Sequence, residues 1–196
     1  GLRVTDKDTI NIVEDVLIKF NKEIVEALNE LGCKAKKITS EKNNIITVIQ
    51  ENKDLGFVGT PTEINKELLT ETIKANEVPV VAPLGLNKDN QTFNINADTA
   101  AGSIAIELKA RRLMIISDVE GVLDSEKKLI PEINSKKANE LIDKEVISGG
   151  MIPKIKNCLD VASNGVKAVV IIDGRKNHSL LFELLSDKGS GTLIRE

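Results

Sequence analysis

The chain has 196 residues, of which 41% are hydrophobic and 29% charged, enough for one large or two small globular domains. Its net charge of −3 without a basic run argues against nucleic acid as the main partner, because binding phosphate backbones needs clustered Lys and Arg. No apolar stretch approaches membrane-spanning length and no signal peptide opens the sequence, so no membrane partner is expected. Cys33 and Cys158 have no Cys or His at ligand spacing, which predicts thiols of a reducing compartment and no metal site.

The first half of the sequence predicts helices around a small β region. A helix begins at Thr5 or Asp6, and a second helical pattern stops at Gly32. The apolar stripe of the first helix comprises Ile10, Val13, Leu17 and Phe20. Residues 35–59 alternate β-branched runs with turn residues, which predicts a hairpin or small antiparallel sheet. A helix capped by Asn65, a buried strand over 78–83 and a loop over 85–89 follow.

Residues 94–102 join Asn and Asp side chains to a helix of small residues. Asn96 is a natural N-cap, which places Asp98 in the first turn, where the helix dipole favours an anion. One helical face is small or apolar, at Ala97, Ala100, Ala101, Ile104, Ala105 and Leu108. Asp98 either completes the cap, the more common use of Asp there, or faces a ligand.

The second half alternates strands and helices. Strands are predicted at 113–116 and 166–172, with an edge strand at 192–194. Helices are predicted at 135–142, after Gly149-Gly150 and at 178–185. Residues 120–132 are predicted to form a loop. This alternation predicts an α/β fold with a mainly parallel sheet covered on both faces.

Polar residues follow the predicted strands. Asp118 and Asp173 stand at strand carboxyl ends, where ligands bind in open α/β sheets. Gly149-Gly150 opens a helix whose N–H groups could hold an anion. Lys154 lies in the first turn of this helix, where a positive charge is disfavoured by the helix dipole. Each residue alone has a plainer use as a cap, a turn or a surface charge, and His178 is expected to be a cap or surface residue. Together they suggest a phosphate site.

Most phosphate-binding motifs are absent, since there is no Gly-x-x-x-x-Gly-Lys-Ser/Thr and no Gly-x-Gly-x-x-Gly after a strand. Residues 113–123, LMIISDVEGVL, look like the first motif of haloacid-dehalogenase-type phosphatases, with Asp118 as nucleophile and Glu120 as acid/base partner. The chain departs from that phosphatase pattern in three ways: the second acid is Glu rather than Asp, the motif lies late in the chain, and no paired-acid motif follows.

Four separated motifs are similar to those of acetylglutamate kinases, which belong to the amino acid kinase family. They are GLRVT at 1–5, NINAD at 94–98, SDVEGV at 117–122 and GGMIPK at 149–154, and the likeness extends to GSGTLI at 189–194. The resemblance implies a three-layer αβα sandwich of the amino acid kinase type. Residues 1–93 would be the remainder of an N-terminal acetylglutamate-binding and dimerisation lobe, and residues 94–196 a C-terminal nucleotide-binding lobe. The implied reaction is ATP-dependent phosphorylation of the side-chain carboxylate of N-acetyl-L-glutamate in arginine biosynthesis.

The resemblance also assigns roles. Arg3 and Asn94 match residues that bind acetylglutamate, Lys154 matches a transition-state lysine, and Asp98 matches the carboxylate that orients it. Nucleotide-binding residues are implied at Asp118, Val119, Glu120, Gly121, Val122, Leu123, Val146, Ile147 and Ser148. Mg²⁺ is expected to be held mainly by the ATP phosphates.

The 196 residues contain neither the Lys-x-Gly-Gly nor the Gly-Gly-Gly-Pro of the family's first lobe. We therefore expect a fragment with little activity alone. The alternative is a non-catalytic module that binds nucleotide or arginine. The family also implies a homodimer or higher homo-oligomer in the cytoplasm, or in a plastid.

Overall fold

The computed structural model describes residues 4–186 and 189–196, and the chain divides into two compact units between residues 104 and 105. The division lies inside the helix of residues 97–107, so the predicted lobe boundary at 93/94 stays a prediction. Within the described residues, no helix has both the length and the apolar content needed to cross a bilayer.

The first unit begins with one long helix, α1 (Lys7–Glu30). Asp6 caps it as predicted, because its Oδ1 accepts the Thr9 N–H at 2.7 Å. The two predicted helices are one, since no Gly or Pro interrupts the chain before Gly32. Phe20 was predicted to lie on the buried stripe but is 57% exposed. Its neighbour Asn21 is buried instead and donates its side-chain N–H to the Val80 carbonyl at 2.8 Å.

Two sheets complete the first unit. The strands are β1 (Ala35–Ile38), β2 (Ile46–Gln50), β3 (Gly59–Ile64), β4 (Val78–Val81), β5 (Leu84–Leu86) and β6 (Thr92–Asn94), and α2 (Lys66–Lys74) follows the predicted cap Asn65. One sheet pairs β1 with β4 in parallel, and the other has the order β3-β2-β5-β6. Antiparallel pairing of β2 with β3 confirms the predicted hairpin.

Three predictions in this region are wrong. β1 pairs with β4 rather than within the hairpin, and β5 occupies the start of the predicted 85–89 loop. β4 is not buried, as Val78 is 48% exposed. The strands β5 and β6 are only three residues long, too short for a clear alternation of apolar and polar residues. They pair with each other, and β5 also pairs with the distant strand β2.

The helix α3 (Ala97–Glu107) confirms the central helix of the sequence analysis. Asn96 Oδ1 accepts the N–H groups of Asp98 at 2.9 Å and Thr99 at 3.2 Å, which is the predicted cap. Ala100 and Ala105 are buried, whereas Ala97, predicted on the same face, is exposed.

The second unit is a four-stranded sheet with helices. Its elements are β7 (Leu113–Ser117), β8 (Glu132–Ile133), α4 (Ser135–Asp143), α5 (Met151–Ser163), β9 (Val169–Asp173), α6 (Ser179–Leu185) and β10 (Thr192–Ile194). The strand order is β7-β9-β10-β8. β10 was predicted at an edge but lies inside the sheet, antiparallel to β9 and parallel to β8. Thr192 and Ile194 are accordingly fully buried.

The core of the second unit lies around β9, in which every residue is buried. Ile171 and Ile172 are fully buried, and burying each such side chain contributes about 1.5–3 kcal/mol. α4 and α5 supply Ala138, Leu141, Ile155, Cys158 and Val161 to the same core. The parallel pairs in all three sheets and the alternating helices confirm the predicted α/β class.

Candidate functional site

The carboxyl ends of β7 and β9 lie side by side. The two strands are parallel and in register, with Ser117 opposite Asp173. The Gly174 N–H donates to the Ser117 carbonyl at 2.8 Å, and a Cβ on Gly174 would lie 2.6 Å from Ile116 Cγ2. The segments after the two strands are therefore neighbours, which the strand-end argument predicted for Asp118 and Asp173.

One ion pair lies at the carboxyl end of β9, and a second joins the segment after β9 to the segment after β7. Asp173 is 2% exposed, and its Oδ1 and Oδ2 accept Arg175 Nε and Nη2 at 2.9 and 3.0 Å. These side-chain hydrogen bonds from Arg175 lower the pKa of Asp173 to about 2, with a further hydrogen bond from the Arg175 backbone N–H. Lys176 Nζ lies 3.3 Å from Glu120 Oε1. The pKa of Arg175 is raised, chiefly by its bonds to Asp173 and less by the charges of Asp118 and Glu120.

Beside this charged cluster, the second unit contains a cavity of about 310 Å³. Seven of the nine predicted nucleotide-binding residues line it: Val119, Gly121, Val122, Leu123, Val146, Ile147 and Ser148. Asp118 and Glu120 are not among its lining residues. The sequence did not predict three further lining residues, Asp124, Lys127 and Met151. The lining is mostly apolar with a few polar groups, which is typical of a small-molecule binding site.

Two local structures bring the cavity walls together. The segment 122–130 folds back on itself, with Ile130 N–H donating to the Val122 carbonyl at 2.8 Å and Asp124 N–H to the Lys128 carbonyl at 2.9 Å. Across the cavity, the N–H groups of Val146 and Ile147 donate to the Leu141 carbonyl at the end of α4, at 2.9 and 3.1 Å.

Lys154 lies in the first turn of α5, where the sequence placed it, and is half-buried. Gly150 is the N-cap residue, and Gly149 has a φ of 55°. A Cβ on either glycine would meet no atom within 4 Å, so their side of the turn is open. Met151, one turn before Lys154, lines the cavity. An anion with one part in the cavity could therefore reach towards the start of α5.

The predicted acetylglutamate residues belong to the first unit. Asn94 ends β6, half-buried, and its N–H donates to the Phe57 carbonyl at 2.9 Å. Thr5 forms a bridge with Gly56, and the Phe57 N–H donates to the Thr5 carbonyl at 2.7 Å. The segment at Thr5 and the strand end at Asn94 thus flank residues 56–58. Arg3 lies outside the described residues.

Asp98 is half-buried in the first turn of α3, as predicted. It belongs to the first unit and Lys154 to the second, so the pairing of the two stays a prediction. His178 was predicted as a cap or surface residue. It precedes α6 with a φ of 61°, forms no side-chain cap bond and is exposed, which confirms a surface residue.

Sequence reasoning missed several residues around the site. Arg175 and Lys176 follow a strand-ending Asp, so the strand-end argument applied to Asp173 could have included them. Glu14 gives no sequence signal, yet its Oε1 accepts hydrogen bonds from Ser40 at 2.6 Å and from Thr92, two residues before Asn94, at 2.8 Å. These bonds join residues far apart in the chain.

The chain is similar to known proteins along its whole length. The model of the amino acid kinase family matches residues 2–173. An acetylglutamate kinase of Pelagibacter ubique is 92% identical over 196 residues, covering all of this chain and 68% of the relative. One from Rhodospirillum centenum is 46% identical over 208 aligned residues, covering 99% of this chain and 68% of that protein. The crystal structure of smu.665 from Streptococcus mutans superposes with a TM-score of 0.85 at 32% identity, covering all of this chain and 75% of the other.

Proposed function

The chain belongs to the amino acid kinase family, and on that premise we propose that it carries out ATP-dependent phosphorylation of N-acetyl-L-glutamate on its side-chain carboxylate, a step of arginine biosynthesis. The observation that carries this proposal is the 92% identity to the Pelagibacter acetylglutamate kinase along the whole chain. In the reaction, a carboxylate oxygen attacks the γ-phosphorus, the bond to the bridging oxygen breaks, and ADP leaves with the electron pair.

The nucleotide is assigned to the cavity of the second unit. Its apolar lining from Val122, Leu123, Val146 and Ile147 suits a purine ring. Asp118 and Glu120 lie at the charged cluster beside it, where Lys176 pairs with Glu120. We assign Mg²⁺ to the phosphates of the bound ATP, because magnesium prefers oxygen ligands and is commonly held by substrate phosphates.

Lys154 is assigned as the cation that stabilises the transition state of phosphoryl transfer. Phosphoryl transfer builds up negative charge on the equatorial oxygens of the moving group, and a fixed cation stabilises that charge without forming a bond. Its place at the start of α5, after the open Gly149-Gly150 turn, supports this role. Asp98, at the start of α3, is assigned to orient Lys154.

The acetylglutamate is assigned to the first lobe, residues 1–93, together with Asn94, and the nucleotide to residues 94–196. Arg3 would pair with a carboxylate through its guanidinium fork, and Asn94 would donate from its side-chain amide. The hydrogen bonds that hold Thr5 and Asn94 on either side of residues 56–58 support a shared site.

Self-association is assigned to α1. Ile12, Val16 and Phe20, one helical turn apart, are 57–64% exposed and form a stripe on one side of the helix. An exposed apolar stripe marks an interaction surface, and in a homodimer the same stripe meets its own copy about a twofold axis.

We assign the protein to the cytoplasm of a bacterium. The relatives described above with named organisms are bacterial, and nothing supports the plastid alternative.

The isolated chain is expected to bind ADP and to transfer phosphoryl groups slowly or not at all. Calorimetry with MgADP and a hydroxamate assay for acetylglutamyl phosphate measure the two activities. Joining the chain to the part of the Pelagibacter relative that it does not match should give full activity, and an inactive hybrid that still folds would refute the proposal.

Two substitutions in that hybrid distinguish the kinase from a phosphatase. Lys154→Ala should lower kcat about 100-fold or more, as removal of one transition-state contact does. Lys156→Ala, an exposed lysine on the same helix, should leave kcat within about twofold, the effect of a surface change. Asp118→Asn should weaken ATP use without abolishing transfer. Complete loss with Asp118→Asn but not with Lys154→Ala would instead indicate a phosphatase nucleophile.

A further inference from the structure

The cavity wall at residues 118–131 depends on one buried side chain outside the cavity. Thr192 is fully buried in β10, and its Oγ1 accepts the Val122 N–H at 2.8 Å. The same hydroxyl donates to the Ile130 carbonyl at 2.7 Å. It therefore closes both ends of the fold-back segment 122–130 at once.

The sheet fixes the position of Thr192 independently of the cavity. Thr192 pairs with Ile171 of β9, and the following residue, Leu193, donates its N–H to the Pro131 carbonyl at 2.9 Å. The segment 118–131, by contrast, contains no strand of the sheet, only a bridge between Leu123 and Leu129. The sheet thus fixes the position of the Thr192 hydroxyl, and the irregular segment 118–131 is hydrogen-bonded to it.

Gly121 shows how closely the wall approaches this point. It has a φ of 138°, and a Cβ there would lie 2.6 Å from Thr192 Oγ1 and 2.7 Å from Leu129 Cδ1. No residue with a side chain fits without moving the wall. Gly121 and Val122 both line the cavity, whereas Thr192 does not.

We propose that Thr192 is a positioning residue for nucleotide binding, acting through Val122 and Gly121 rather than by touching the ligand. The inference rests on the proposed nucleotide site. A threonine hydroxyl accepts one hydrogen bond while donating another, as this position requires. Valine has nearly the same shape but leaves the buried Val122 N–H and Ile130 carbonyl unpaired, which drives the wall away from its position.

The test is MgADP binding by isothermal calorimetry to the 196-residue chain and three variants. Thr192→Val should weaken binding about tenfold or more, because the Val122 N–H and the Ile130 carbonyl both lose their partner. Thr192→Ser keeps the hydroxyl and should bind within about threefold of the wild type, since it keeps both bonds. Thr72→Val is the matched control: Thr72 is 1% exposed, and its hydroxyl donates to Leu68 in α2 of the first unit. It should leave affinity within about twofold, because it touches no cavity residue.

The outcomes separate the two claims. A wild-type chain that does not bind MgADP refutes the nucleotide site, and the inference with it. If the wild type binds but Thr192→Val binds equally well, or if Thr192→Ser loses as much as Thr192→Val, the site stands and the positioning role is wrong. Where Thr192→Val does not fold, Gly121→Ala tests the same contact from the wall. It should weaken MgADP about tenfold by displacing Val122, and unchanged affinity would refute the inference.

Discussion

The two units hold their candidate sites in different ways. In the second unit, seven predicted residues from two distant segments meet at one cavity, and a fully buried strand and Thr192 support its walls. In the first unit, the described candidate residues are Asn94 at the end of β6 and Asp98 at the start of α3, and one side of α1 and part of β4 are exposed apolar surface. The sheet fixes the position of the cavity in the second unit, whereas no comparable cavity gathers the described candidate residues of the first unit. Exposed apolar surface does not distinguish the units, since α6 of the second unit also exposes Phe182 and Leu185.

The largest effect is expected at Gly191, where β10 approaches β9 closely in the sheet of the second unit. A Cβ on Gly191 would overlap the Ile171 carbonyl oxygen, so β10 could not stay beside β9. Gly191→Ala should lower the free energy of unfolding by more than about 3 kcal/mol, as backbone clashes in a packed core do. Urea denaturation measures it. Gly150→Ala is the control, because a Cβ there meets nothing within 4 Å, and it should change stability by less than about 0.5 kcal/mol. Equal midpoints for the two variants would show that the sheet does not depend on this approach.

The corresponding polar support in the first unit is Glu14. Its Oε1 accepts hydrogen bonds from Ser40, which is 6% exposed, and from Thr92. Glu14→Ala should destabilise the chain by about 2 kcal/mol, since it leaves these hydroxyls without an acceptor. Glu14→Gln keeps one oxygen and should lose less, and exposed Asp15→Ala should be neutral in the same urea titration. A neutral Glu14→Ala would show that the first unit does not rely on this network.

The exposed stripe of α1 should affect association rather than folding. Val16 is 58% exposed, so Val16→Asp should change the free energy of unfolding by less than about 0.5 kcal/mol. Sedimentation velocity over a concentration series should show self-association of the wild type and its loss in the variant. Asn11→Asp adds the same charge to α1 away from the stripe and should still associate. A wild type that stays monomeric would remove the proposed interface.

The smallest expected effect is electrostatic and belongs to the second unit. The pKa of Asp173 is about 2, below the ordinary 3.8, because Arg175 bonds to the ionised carboxylate. This pairing therefore stabilises the fold above pH 3.8, and the contribution is lost as the pH falls through about 2. In Arg175→Gln the pKa should rise towards 3.8 and the pH dependence of stability between these values should flatten. Carboxyl NMR titration measures it, with Arg175→Lys as an intermediate case. An unchanged pKa would show that Arg175 is not the cause.

Much of the second unit follows from local sequence. The continuous apolar runs at β7 and β9, the stop at Asp173 and the glycine-opened helix α5 predicted a parallel α/β sheet with polar residues at its strand ends. The segments that line the cavity were predicted by the family resemblance rather than by these local patterns. The cap residues Asp6, Asn65 and Asn96 were predictable for the same reason, because each acts on N–H groups two or three residues away.

Tertiary structure decided the features that join distant residues. The sequence placed Thr192 on an edge strand, yet β10 inserts between β9 and β8, and only that position brings its hydroxyl to Val122. β5 and β6 are too short for a pattern, and the contacts of Glu14 and Lys176 cross long stretches of chain. Local preferences extend over a turn or a few strand residues, so they specify elements and their ends. Burial and hydrogen bonding between those elements decide which strand is central and which hydroxyl supports a cavity wall.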